Sequence, residues 1–130
     1  VRASGRPWRT GIETPSDEPR GIALVVSLRG QALSTSGDYK NFFVQDGRRY
    51  SHLIDPRTGW PATGALAAVS VVHASCARSS ALATALFVLG HDEGFALAKR
   101  LRLACVFFVR DSTGPGYTRR ATPEFESLSP

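Results

Sequence analysis

Apolar and polar positions along this chain fall into blocks that read as strands first and helices late. Trp8–Ile12 reads as a short strand in an opening stretch punctuated by Gly5, Pro7, Pro15 and Pro19. Ile22–Leu28 is continuously apolar and partly β-branched, which predicts a buried strand. Arg29-Gly30 turns it, and Gln31–Thr35 is expected to pair back as the next strand. Phe42-Phe43-Val44 and the segment Arg49–Ile54 flank Asp46-Gly47, a hairpin signal. Side chains alternate faces in an extended strand, so His52 and Ile54 should point one way and Leu53 and Asp55 the other. Pro56 should end that ladder, and Thr58-Gly59 should turn the chain.

The second half changes period. Leu66–His73 is another apolar strand. Ser75 is a good helix N-cap, and a helix is expected from Cys76 to Leu89 with Gly90 as its stop. That helix is apolar nearly all round, which predicts burial on several faces and partners for Ser79, Ser80 and Thr84. A second helix over His91–Arg102 would turn Phe95, Ala96, Ala98 and Leu101 inward. Leu103–Val109 reads as a buried strand, Asp111–Gly116 as a turn, and Tyr117–Arg119 as a strand pairing back before a tail at Phe125. Strands, then two helices, then strands predict an α+β fold: a mainly antiparallel sheet covered on one face by two helices.

Composition adds bounds. At 130 residues and 42% apolar content, the chain is one domain or part of one, with enough apolar matter for a core. It starts at Val1 with no signal-like segment and reads as a fragment or a processed product. No apolar run approaches the ~20 residues that span a bilayer, so no transmembrane segment is expected in the chain. The net charge of +5 raises the question of nucleic acid. Its basic pairs, Arg48-Arg49, Lys99-Arg100 and Arg119-Arg120, sit near turns or element ends, and no helix presents a basic recognition face. Nucleic-acid binding is therefore set aside. Cys76 and Cys105 lie in apolar contexts and form no metal-type spacing.

The densest chemistry lies between Ser34 and Pro61. Ser34-Thr35-Ser36 runs into Gly37, Asp38 and Tyr39, clustering hydroxyls and backbone N–H groups on a tight turn. His52 stands where a strand gives way to a glycine turn, and imidazole titrates near neutrality, as a proton acceptor must. Asp55 could orient that histidine or cap the turn; Arg57 could meet a phosphate or solvate a loop.

Ser34-Thr35-Ser36-Gly37-Asp38-Tyr39, the stretch Tyr50-Ser51-His52-Leu53-Ile54-Asp55-Pro56-Arg57-Thr58-Gly59, and Ser80 to Gly90 stand in an order that resembles the ApbE family of FAD:protein FMN transferases. Val1-Arg2-Ala3-Ser4-Gly5 is similar to the end of a motif in the same family. The likeness covers nearly the whole chain and corresponds to the C-terminal half of that ApbE-like, T-fold-like domain. The N-terminal half, which in the family supplies much of the FAD pocket, is then expected elsewhere. The resemblance implies Mg²⁺-dependent transfer of FMN from FAD to a threonine or serine hydroxyl of a target flavoprotein. His52 matches the family's base, and Ser36, Gly37, Asp38, Tyr39, His52, Leu53, Ile54, Asp55 and Arg57 fall on positions that could meet the flavin nucleotide. It also implies a bacterial cell-envelope or periplasmic setting.

One position departs from the family. Thr84 matches a metal ligand, but an aspartate is expected four residues earlier, and this chain has Ser80. A hydroxyl is a neutral ligand, and Mg²⁺ favours carboxylate. Two readings follow. In one, the chain carries the catalytic side of a transferase, completed by a separate N-terminal half. In the other, it is a degenerate or truncated flavin- or nucleotide-binding module without transfer.

Overall fold

The computed structural model describes residues 4–16 and 21–128. Part of the Val1–Gly5 motif and of the loop around Pro19 therefore lies outside the described residues. The framework is a four-stranded antiparallel sheet of β3 (Ala32–Gly37), β8 (Leu66–His73), β9 (Ala104–Arg110) and β10 (Tyr117–Ala121), in the order β10-β9-β8-β3. Two-stranded ribbons make up the rest: β1 (Trp8–Glu13) with β2 (Ile22–Leu28), β4 (Phe42–Gln45) with β5 (Arg48–Ser51), and β6 (Ile54–Asp55) with β7 (Trp60–Pro61). The helices are α1 (Cys76–Arg100) and the short α2 (Pro123–Glu126).

The expected α+β architecture is present. Period-two alternation sends Val69, Val71, Cys105 and Phe107 to one face, where they pack with Ala83, Leu86, Phe87 and Ala98 of α1. Ala68, Val72, Val106 and Phe108 face the other way, against Ile12, Val26 and Leu28 of the β1–β2 ribbon and Phe125 of α2. The sheet is thus covered on both sides. Burial pushes the Cys105 thiol up to about 12, so it acts as a small apolar group in the core.

Several local expectations needed correction. β3 does not pair back onto β2; the chain turns at Gly30, φ 72°, and β3 crosses to pair with β8, a choice made by the sheet as a whole rather than by the local turn. β5 stops at Ser51, whose Oγ accepts a hydrogen bond from the Leu53 N–H and draws the chain out of the ladder. The predicted face alternation survives: His52 and Ile54 are exposed, Leu53 half-buried, Asp55 buried. α1 buries one face, not several: Ser79, Ala83, Leu86 and Phe87 lie inside, while Ala77, Ala81 and Ala85 are open. Ala96 and Leu101 are exposed rather than inward, because the buried positions of the second half are Gly94 and Ala98, and Leu101 lies beyond the last helical residue. α2 was not foreseen; Pro123 opens it and Phe125 anchors it.

Gly90, at φ 83° and ψ −178°, breaks the helix where a stop was expected. α1 is the one helix among the described residues long and apolar enough to cross a bilayer, but it is kinked there and packs along β3 and β8. The kink folds the second half back onto the first. A Cβ added at Gly94 would stand 2.6 Å from the Leu86 carbonyl oxygen. Gly94→Ala should therefore destabilise the fold by about 1–3 kcal/mol, overriding the usual gain from alanine in a helix. Urea unfolding would measure it, and a variant more stable than the parent would contradict this packing.

Candidate functional site

β3 presents its hydroxyls to both neighbours. Thr35 Oγ1 lies 2.7 Å from Ser70 Oγ on the face away from α1. On the helix face Ser34 Oγ lies 2.7 Å from Ser79 Oγ, and Ser36 Oγ lies 3.1 Å from Thr84 Oγ1. Ser79 donates its own proton to the Cys76 carbonyl at 2.9 Å, so Ser34 is the donor of that pair. The predicted partners of Ser79 and Thr84 are thus on β3. Ser80 points out to solvent. Gly37 closes the strand where only glycine fits: a Cβ would meet the Ala67 carbonyl oxygen at 2.7 Å.

Two clefts meet at Thr84. The smaller, about 250 Å³, is lined by Ser36, Gly37, Tyr39, His52, Leu53 and Thr84, together with Lys40 and Asn41. The larger, about 820 Å³, is lined by Ile54, Asp55, Arg57, Ser80 and Thr84 and by the open face of α1 at Ala77, Ala81 and Ala85. The structure therefore gathers all but one of the expected site residues around a single helical turn. The exception is Asp38. It is buried against Arg110, to which its carboxylate is paired, and it lines a third cleft of about 360 Å³ with Arg48 and Arg49.

His52 is fixed by a residue that the sequence did not single out. Its backbone N–H donates to the Asn41 carbonyl at 3.3 Å, and its ring Nδ1 lies 2.8 Å from the same oxygen. A carbonyl only accepts, so Nδ1 carries the proton and the neutral ring keeps its lone pair on Nε2. Nothing in the local sequence signals a main-chain acceptor, and only the hairpin register reveals it.

Asp55 takes the turn-capping role. Its carboxylate accepts from the Arg57 backbone N–H at 2.9 Å and from the Arg57 Nε and Nη2 at 3.0 and 2.8 Å. Its backbone carbonyl accepts from Gly59 N–H at 2.8 Å. The Arg57 side chain holds the Asp55 carboxyl below its usual range, and Asp55 raises the Arg57 guanidinium in return. Arg57 also reaches Glu93 on the second half of α1, with Nη1 at 3.5 Å from Oε2. A guanidinium is thereby held at the rim of the larger cleft.

The donor set does not suit a resident Mg²⁺. Ser80 and Thr84 offer neutral hydroxyls, and Thr84 already shares its own with Ser36. The carboxylate on the cleft wall, Asp55, is already paired with Arg57. Among the described residues no group of three histidine, cysteine, aspartate or glutamate side chains comes together. These residues do not by themselves make an oxygen cage for a hard divalent cation.

Comparison with known proteins is consistent across sequence and structure. The model of the ApbE family matches residues 1–107. An FAD:protein FMN transferase of Vibrio cholerae is 39% identical over 126 residues, covering 97% of this chain and 37% of that protein. One from Treponema pallidum is 45% identical over 102 residues. The apo crystal structure of the flavinyl transferase ApbE of Pseudomonas stutzeri superposes with a TM-score of 0.79 at 44% identity, over 97% of this chain and 38% of that one. The chain spans little more than a third of the length of the Vibrio cholerae relative and of the Pseudomonas stutzeri structure, and its match covers 28% of the Treponema pallidum protein.

Two measurements test the geometry. A carboxyl with a lowered folded-state pKa adds stability at neutral pH and loses it as pH falls below its ordinary value of 3.8. Asp55→Asn should therefore be less stable than the parent at neutral pH, with the gap closing under acid; urea midpoints that keep a constant gap down to about pH 2 would contradict the clasp. Ser80→Asp should create a metal-binding pair with Thr84, one helical turn apart, and tighten Mg²⁺ binding at least about tenfold by calorimetry. No change would mean that a cation is not held at this turn.

Proposed function

This chain belongs to the ApbE family, and we propose that it carries the catalytic side of an FMN transfer from FAD to a threonine or serine hydroxyl of a target protein. The observation that carries the reading is His52, with Nδ1 bonded to the Asn41 carbonyl and Nε2 left as the acceptor, in a cleft shared with Ser36, Gly37 and Thr84. The names of the curated relatives, FAD:protein FMN transferase, supply the reaction class.

In this reading His52 Nε2 takes the proton of the acceptor hydroxyl. The acceptor oxygen forms a bond to the FMN-side phosphorus, the pyrophosphate bond on that phosphorus breaks, and AMP leaves with the electron pair. The Asn41 carbonyl stabilises the imidazolium that forms. Gly37 lets the backbone of β3 approach closely, and the hydroxyls of Ser36 and Thr84 offer hydrogen bonds to nucleotide oxygens. Arg57, preorganised by Asp55 at the rim, offsets phosphate charge. The partner protein is a flavoprotein precursor with an exposed hydroxyl. No step is routed through a metal, because the residues at Ser80 and Thr84 do not fit one unaided.

In the full-length protein, His52→Ala should lower flavin transfer to a threonine-bearing acceptor by about 10²–10⁴-fold, with FAD affinity held within about threefold. In-gel flavin fluorescence reads the first and equilibrium titration the second. Transfer that survives the change would remove His52 from its role. FAD bound by the unaltered protein without any transfer would favour the binding-module reading.

A further inference from the structure

The β4–β5 ribbon projects its apolar side chains outward. Phe43 and Val44 are 53% and 60% exposed, and Phe43 stacks on Tyr50 at 5.1 Å. Among the described residues β4 pairs only with β5, so its other edge is open. The register says which groups lie on that edge. The turn Asp46-Gly47, with φ of 50° and 72°, makes Gln45 and Arg48 the closing hydrogen-bonded pair. Bonded pairs then alternate, at Phe43 with Tyr50 and next at Asn41 with His52. The bond from His52 N–H to the Asn41 carbonyl agrees with that phase. The N–H and C=O groups of Phe42 and Val44 therefore point away from β5 and pair with no other strand among the described residues.

Folded proteins blunt such edges with charge, proline, a bulge or a covering element. The Phe-Phe-Val-Gln of β4 has none of the first three, and among the described residues nothing pairs along it. Immediately before β4, Lys40 and Asn41 line the cleft that holds His52. An added strand advances about 3.3 Å per residue, so two residues past Phe42 bring it to that cleft. Arg48 and Arg49 stand on the adjacent strand, Arg49 over the Phe42 ring at 3.8 Å, and Asp46 at the tip is the one acid in the ribbon.

We propose that the open edge of β4 is the docking rail for the acceptor protein: an extended segment with acidic side chains pairs with Phe42 and Val44 and delivers its hydroxyl to His52. The inference rests on the transfer reading for the identity of that segment. Backbone pairing supplies affinity without a long sequence requirement, and the positive charge at the exposed Arg48 favours an acidic strand over a basic one.

The probe is a fluorescein-labelled decapeptide of alternating valine and threonine with an aspartate at each end, added to the full-length protein. Anisotropy should show binding that weakens at least about tenfold in Val44→Pro, which removes an outward N–H without breaking a rung of the ribbon, and changes less than about threefold in Val44→Ala. In the unaltered protein, amide exchange at Phe42 and Val44 should slow when the peptide is added, which tests the rail even if the proline variant folds poorly. Equal binding by Val44→Pro, protection confined to other strands, no binding, or a dimer of this chain formed through β4 would each overturn the proposal. FAD titration of the same samples separates the two readings. FAD bound with no peptide on β4 sinks the rail alone; peptide on β4 without FAD binding sinks the transfer reading, and with it the acceptor as the segment that β4 receives, while the edge pairing itself stands.

Discussion

The seam of small hydroxyl side chains between β3 and α1 sets the distance on which the site depends. Ser34 meets Ser79 and Ser36 meets Thr84 across it. Larger apolar residues there would hold the helix away from the strand. Small ones let the helix approach and replace water with mutual hydrogen bonds. Each bond contributes only about 1 kcal/mol net, but leaving one buried hydroxyl without its partner costs about 1–3 kcal/mol. The seam is therefore more selective than strong: it tolerates this register and penalises slippage by one residue. At that register Thr84 becomes the corner shared by the two clefts.

Around that corner the charged groups are arranged by turns rather than by the sheet. Asp55 organises the loop between β6 and β7 with both its side chain and its backbone carbonyl, and Arg57 is clasped as a result. Asp38 pairs with Arg110, seventy-two positions along the chain, and ties the end of β3 to the end of β9. One acid thus shapes the rim and the other braces the framework beneath it. Their separation explains why two aspartates so near in sequence line different clefts.

Much of the fold was legible. Ile22–Leu28 and Leu66–His73 have the predicted bounds, and the Asp46-Gly47 turn, the Ser75 cap and the break at Gly90 follow from local chemistry. These features depend on neighbours in sequence. What failed depended on distant ones. β3 pairs with β8 rather than β2 because partner choice is decided by the whole sheet. The open face of α1 was unreadable because apolar composition does not say which side meets the core. α2 is too short for periodicity to detect, and Phe125 declares itself only by its burial. The chemistry of His52, Thr84 and Arg57 was suggested by motif, as was the meeting of His52 with the hydroxyls of the helix. The bond from His52 to the Asn41 carbonyl lies beyond any residue-type signal.

That bond has an evolutionary corollary. The group that steers the imidazole belongs to the main chain, so exchanging the side chain at position 41 does not delete it. Lineages can drift at that site without losing tautomer control, whereas inserting or removing a single residue in the hairpin would disconnect it. Selection here should fall on loop length more than on residue identity.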